Sequence, residues 1–175
     1  YLPSISLQED FDPKDIRKKY TIMTDGDFYP ELLKKEGGFE YKKIYSSTGS
    51  NFRKYIVGSA AERNDVFFMR TSQNTNILRY SDVLLMHAEA VMAGANSTSD
   101  GSALNAYNEV RTRAGLPTKT VLTRDELFDE RRVEFALEGQ YFFDLKRRGL
   151  AEATAIISQQ EVGFYSDDAR TELIS

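Results

Sequence analysis

The chain has 175 residues, 41% of them hydrophobic, enough to bury a core, and one domain over residues 1–175 is the expectation for that length. A net charge of −4 argues against a nucleic-acid partner, which would need a basic face. With no Cys, disulfides, thiolate metal sites and cysteine nucleophiles are excluded, and no apolar run reaches membrane-spanning length.

Residues 1–78 show no long helical period and read as short, mixed elements. Asp12-Pro13-Lys14-Asp15 has the form of an N-cap followed by proline, so a helical turn through about Lys18 is expected. Tyr20 to Met23 is strand-like, and Asp25-Gly26-Asp27 is a turn. After the break at Gly37-Gly38, an extended Phe39–Tyr45 would put Phe39, Tyr41, Lys43 and Tyr45 on one face. Ser46 to Asn51 is a polar loop, with further strands expected at residues 52–57 and 66–69 and a loop over 71–76.

From Arg79 the pattern becomes helical, through residue 175 in our division of the chain. Residues 80–93 read as a helix with Val83, Leu84, Met86, His87, Ala90 and Val91 on its buried side. A loop rich in Ser, Asn and Gly follows. Residues 102–114 then form a second helix along Leu104, Tyr107, Val110 and Ala114, stopped by Gly115 and Pro117. The pair is close to the tetratricopeptide period of about 34 residues. A lone repeat of this kind cannot bury its own face. It is expected to stack on the next helix or on helices outside this sequence.

That next helix is expected to run unbroken over residues 124–149. Thr123-Arg124-Asp125-Glu126 is a capping box, no proline interrupts, and Gly149 supplies the stop. Phe128, Phe135, Phe142 and Leu145 would form one apolar stripe. Glu130, Glu134 and Glu138 share a face at i, i+4, i+8, and like charges at that spacing repel. The row therefore requires cations from elsewhere in the fold. Arg79, Glu89, Arg113, Arg132, Glu134, Glu138 and Asp144 are expected as structural ion-pair residues, buried Arg suiting the role through its bidentate fork. Gly139 is expected where another backbone approaches closely. The tail begins helical near Glu152 and ends without pattern.

Few constellations point to chemistry. Glu134 and Glu138 could be read as the acid pair of a glycoside hydrolase, but one helical turn sets both on one wall rather than across a cleft. Neighbouring Arg131 and Arg132 would also lower the pKa of a general acid. His87 with Glu89 resembles a deaminase zinc motif superficially. With no Cys and one His the ligand set cannot be completed, so His87 is expected as a satisfied core residue and no metal or cofactor is expected. No phosphate-binding loop or dinucleotide glycine fingerprint occurs. The ten Tyr and eleven Phe leave the aromatics as the best candidates for binding, because their faces stack on sugar rings. Tyr29, Tyr41 and Tyr45 are the candidate ligand contacts, weighed against simple core packing.

Three segments carry a family resemblance. Arg79-Tyr80-Ser81-Asp82-Val83-Leu84-Leu85-Met86-His87-Ala88-Glu89-Ala90 is the first, and Leu104-Asn105 through Val110-Arg111-Thr112-Arg113-Ala114-Gly115-Leu116-Pro117 the second. The third is Glu130-Arg131-Arg132, Glu134, Glu138-Gly139, Phe142-Phe143-Asp144-Leu145 and Arg148-Gly149. In this order they resemble the SusD/RagB outer-membrane nutrient-binding lipoproteins, over residues 79–149 well and over the first third loosely. Two departures stand out: Arg148 precedes Gly149 where the family often has Trp, and the proline-rich and Asn-rich segments that usually follow are absent.

The resemblance implies a mainly α, SusD-like fold: a tetratricopeptide-like hairpin packed on a long central helix, with an irregular, short-strand N-terminal third. It implies the C-terminal portion of a cell-surface outer-membrane lipoprotein of a Gram-negative bacterium. Such a protein captures a glycan or similar nutrient without catalysis and delivers it to a SusC-like TonB-dependent transporter. Membrane contact would run only through a lipid anchor outside this sequence, which starts at Tyr1 with no signal peptide or lipidation cysteine and is expected to be a piece of a longer precursor. A helical protein-interaction scaffold and, less favoured, a glycan hydrolase are the alternatives.

Overall fold

The computed structural model describes residues 2–58 and 72–160, together with the backbone of the strand pairs at 66–67, 70–71, 164–165 and 171–172. The chain forms two units: a helical one, Glu9–Arg17 with Asn76–Gln159, and an irregular one, Tyr1–Gln8, Lys18–Thr75 and Gln160–Ser175.

In the helical unit, α3 (Tyr80–Met92) and α4 (Gly101–Arg113) form the expected hairpin. α3 stops where Ala93 adopts a left-handed φ of 50° and Gly94 continues it at 83°. The Asp100 side chain caps α4 by accepting from Ser102 N at 2.8 Å and Ala103 N at 3.1 Å. Gly115, at φ 76°, lets Leu116 N reach back to Arg111 O at 2.9 Å and so closes the helix. Asn108 then holds the following loop, accepting from Lys119 N and donating to Lys119 O. A short antiparallel pair, β7 (Ser97–Thr98) with β8 (Leu122–Thr123), delivers the chain to α5 (Arg124–Glu134). The capping box forms as expected: Glu126 N donates to Thr123 Oγ1, and Thr123 N to Glu126 Oε2.

The expected single helix over 124–149 is two helices. α5 ends at Glu134, and after a turn α6 (Tyr141–Arg148) begins, followed at once by α7 (Leu150–Ser158). The turn contains left-handed Leu137 at φ 68° and Gly139 at φ 76°. Open space surrounds the Cβ position of Gly139, so this glycine serves backbone conformation and not a close approach, which corrects the expectation. The reason for the break lies in the ion pairs. Along a straight helix Arg131 and Asp144 would stand about 20 Å apart, whereas Arg131 Nε donates to Asp144 Oδ1 at 3.0 Å. With the turn, the apolar stripe is also divided: Phe128, Phe135 and Leu145 are buried, but Phe142 is 63% exposed.

The core of this unit joins Leu85, Ala88 and Met92 of α3 with Ala103, Tyr107 and Val110 of α4 and with Leu122, Leu127 and Phe135. Each fully buried leucine contributes about 1.5–3 kcal/mol. Of the side of α3 expected to be buried, Leu84 and Val91 pack partly buried against this core, while the fully buried residues are others. Val83, Met86, His87 and Ala90 point outward, and His87 is no core residue; its Nε2 lies 3.3 Å from Ser102 Oγ at the surface. Residues 9–17 lie on this unit, with Phe11 buried and Ile16 N donating to Ala114 O. The helix expected through about Lys18 does not start at Asp12 but only at Arg17. Asp12 instead caps a tight turn at Lys14, and α2 (Arg17–Thr21) starts after Asp15 accepts Arg17 N.

The irregular unit opens with α1 (Ile5–Glu9), which starts in Tyr1–Gln8 and was not foreseen. Its order comes from two-residue antiparallel pairs: β1 (Ile22–Met23) with β4 (Asn51–Phe52), and β2 (Phe28–Tyr29) with β3 (Phe39–Glu40). Residues 66–67 pair with 70–71, and 164–165 with 171–172. The strands expected over 20–23 and 52–57 shrink to these pieces, and Lys43–Tyr45 is a 3-10 turn, not extended chain. Met23, Tyr29, Leu32 and Tyr41, with Phe39 against them, make a second small core.

Candidate functional site

The aromatic cluster of the irregular unit is built on the Asp25-Gly26-Asp27 turn. Asp27 Oδ2 accepts from Thr24 N at 2.7 Å, Gly26 takes φ 84°, and Tyr41 N donates back to Asp27 O at 2.8 Å. Register pairing of Tyr29 with Phe39 then brings the rings together. Tyr29 and Tyr41, both expected as ligand contacts, are 1% exposed and belong to the core. Tyr29 OH donates to Lys19 O at 3.0 Å, with the Arg53 guanidinium over its ring; burial and then the neighbouring Asp27 charge push its phenol pKa up. Tyr41 OH donates to Ser46 Oγ at 3.1 Å, and Ser46 Oγ donates in turn to Ser50 O. Neither ring has a face for stacking. Tyr41 and Tyr45 do meet on one side with Phe39, though through a 3-10 turn at Lys43–Tyr45 and not through extended chain.

Tyr45 is the exception. Its ring stacks on Phe39 at 6.0 Å and 23°, meets Tyr41 edge-on at 5.8 Å, and remains 52% exposed. A ring held on its inner side by two others keeps its outer side in place at little further entropic cost. Lys42, Lys43 and Ile44 beside it are all exposed, so the platform carries donors at its rim. The same unit holds a feature sequence reasoning missed, a cavity of about 330 Å³ lined by Glu31, Lys34, Arg53, Ile56 and Gln73. Arg53 anchors it, donating from Nη2 to Glu31 at 2.7 Å and from Nη1 to Ile56 O at 3.1 Å. Residues this far apart in the chain carry no local signal of a shared wall.

In the helical unit Glu89, Glu130, Glu134, Glu138 and Asp144 are committed to arginines. Glu134 Oε1 accepts from Arg79 at 2.9 Å and Arg113 at 2.5 Å, and Oε2 from Arg17 at 2.8 Å. Glu138 takes the Arg79 fork through Nε and Nη2, both at 2.8 Å. Arg111 meets Glu130 Oε2 at 3.1 Å, while Arg17 lies 2.6 Å from Glu130 Oε1 in an ionic contact off hydrogen-bond alignment. Arg132 pairs with Asp10, Arg147 with Glu89, and Asp144 with both Arg131 and Arg147. Phe135 packs under the Arg79 and Arg131 guanidinium groups, at 5.1 and 4.9 Å.

This electrostatic setting is wrong for acid catalysis. Burial alone would raise the Glu134 pKa, but hydrogen bonds from Arg113, Arg17 and Arg79 outweigh it and hold the carboxyl down to about 2. Such a group is ionised near neutral pH and has no proton to give a leaving group. Asp144 is displaced the other way, burial raising it against the opposing charges of Arg131 and Arg147. Among the described residues no group of three or more His, Cys, Asp or Glu side chains could hold a metal ion, and no helix is long and apolar enough to cross a membrane.

Comparison with known proteins gives a consistent picture. The profile of the SusD family matches residues 6–172. A SusD-like protein of Bacteroides ovatus is 36% identical over 148 residues, covering 83% of this chain and 26% of its own length. A crystal structure with xylogluco-oligosaccharide is similar at a TM-score of 0.81 and 29% identity, over 99% of this chain and 37% of that one. The surface glycan-binding protein A of Bacteroides uniformis is similar at a TM-score of 0.60 and 30% identity, over 81% of this chain and 28% of its own. The chain thus spans about a quarter to two-fifths of the length of these relatives.

Proposed function

Because the chain belongs to the SusD family, matched over residues 6–172, we propose that it is part of a protein that captures a glycan without cleaving it. The captured nutrient passes to a TonB-dependent outer-membrane transporter, and the protein works at the cell surface as a lipid-anchored receptor, the anchor lying outside these residues. The observation that carries this reading is the likeness, along nearly the whole chain, to a structure solved with xylogluco-oligosaccharide. The commitment of Glu134 and Glu138 to Arg17, Arg79 and Arg113 supports a binding role over hydrolysis. Within this chain, the sugar contact we assign is the exposed outer side of Tyr45, stacked on Phe39.

Affinity electrophoresis and calorimetry against a panel of oligosaccharides, xyloglucan fragments included, test the proposal, with reducing-end release followed in parallel. Binding without release is expected. Tyr45→Ala should lower affinity about ten-fold, roughly 1–2 kcal/mol. Release of reducing ends would replace the binding role with a hydrolytic one. Unchanged affinity in Tyr45→Ala would move the contact off this ring.

A further inference from the structure

The helical unit holds a cavity of about 130 Å³ lined from α5, α6 and α7. Asp144 lines it and is 3% exposed. Its Oδ1 accepts from Arg131 Nε at 3.0 Å and lies 2.8 Å from Arg147 Nη2, whereas its Oδ2 is buried with no hydrogen-bond donor. A buried carboxylate oxygen in that state has given up its hydration without return, so it calls for a donor from outside the fold. Asp129, also in the lining, is exposed and makes no hydrogen bond or ion pair among the described residues. Tyr141 OH accepts from Arg132 Nη1 at 3.0 Å, and its own hydrogen has no acceptor among the described residues.

These groups select a class of ligand. Asp129 and Asp144 are matched in the lining by Arg132 and Arg148, so its formal charge is zero and neither a free cation nor a free anion is favoured. The arginines are themselves engaged, Arg132 Nε with Asp10 at 2.6 Å, and Arg148 through Nε with Glu152 and through Nη2 with Asp125. Spare acceptors on Asp129 and Asp144 and a spare donor on Tyr141 match a neutral ligand rich in hydroxyls, each of which donates and accepts. Phe128, Leu145 and Ile156 supply an apolar side. Water would satisfy the oxygens and leave that side wet, whereas a sugar ring has polar edges and apolar C–H faces. Size narrows the choice further. Pockets that enclose a whole drug-sized ligand run to about 300 Å³ or more, so this one takes an edge of a single ring.

We propose that this cavity is a saccharide subsite separate from Tyr45, taking the hydroxyl edge of one pyranose ring with Asp144 Oδ2 and Asp129 as acceptors and Tyr141 OH as donor. That the hydroxyls belong to a saccharide rests on the binding role proposed above. The test is methyl NMR of protein carrying carbon-13 in its isoleucine methyls. Ile156 lines the cavity and Ile44 stands beside Tyr45, so the two sites report separately. Methyl glycosides of glucose, galactose and xylose are the probes. We expect a saturable shift of the Ile156 methyl, with a Kd in the millimolar range, that persists in Tyr45→Ala. Asp129→Ala and Tyr141→Phe should each weaken it about ten-fold; both leave Asp144 and its arginines in place. An Ile156 methyl that no glycoside moves would overturn the proposal, the cavity then holding water only. A shift of Ile44 in that same titration would show that the Tyr45 reading stands without it. An Ile156 shift lost in Tyr45→Ala would overturn it too, because the change would be transmitted from Tyr45. So would a Kd unchanged in both Asp129→Ala and Tyr141→Phe.

Discussion

Within each unit a different kind of interaction holds the chain in place. In the helical unit side chains carry long-range ion pairs onto a scaffold already specified locally: Thr123 and Asp100 start helices, Gly94 and Gly115 follow their ends, and arginines from three segments converge on Glu134. In the irregular unit there is little local scaffold. Strand pairs are two residues long, and side chains replace the missing ladder, as when Asp25 accepts Lys43 N at 2.7 Å and Asp27 accepts Thr24 N. The lesson is one of placement. The first unit uses its polar residues to lock helices together. The second uses polar residues to shape turns, and these leave Tyr45 on a platform.

The sharpest way to break this comparison is to remove the carboxylate on which the helical unit converges. Glu134→Ala takes one acceptor each from Arg17, Arg79 and Arg113, of which Arg17 keeps Asp15 and Glu130 and Arg79 keeps Glu138, and should cost about 1–3 kcal/mol in denaturant unfolding followed by far-ultraviolet circular dichroism. A loss below about 1 kcal/mol, the range of exposed pairs, would show the network to be incidental. Acid probes the same residue. Its folded pKa, about 2, lies below the unfolded value near 4.5, so its stabilisation is complete above about pH 4.5 and disappears as pH falls towards 2. Glu134→Gln should flatten the stability–pH curve within that window and leave its slope unchanged between pH 6 and 8.

Smaller effects sharpen the comparison. Tyr41→Phe removes the hydroxyl that reaches Ser46, and a loss of about 0.5–1.5 kcal/mol is expected, read from tyrosine fluorescence during unfolding. Tyr45→Ala, mutated at a half-exposed ring, should stay within about 0.5–1 kcal/mol of the parent, so that its effect falls on affinity. Thr123→Ala should cost about 1 kcal/mol, because Glu126 N loses its acceptor at the start of α5. Hydrogen exchange over residues 124–128 that stays as slow as in the parent would remove the cap from the account.

The sequence by itself determined the hairpin at residues 80–113, the capping box at Thr123, the need of the Glu row for outside cations and the family. Each rests on residues within one or two helical turns, where spacing dictates geometry. Which side of α3 faces inward was not legible, because both sides are apolar and only packing against α4 and α5 chooses Leu85, Ala88 and Met92. Nor was the break after Glu134, since Gly139 is compatible with a helix and the turn forms because it lets Asp144 return to Arg131. The candidate site divides the same way. Aromatic content near Tyr45 was visible, but the burial of Tyr29 and Tyr41 follows from pairing across Phe28–Tyr29 and Phe39–Glu40 and from the turn at Lys43–Tyr45. Tertiary structure decided these points because contacts between residues distant in the chain leave no period to read in either one.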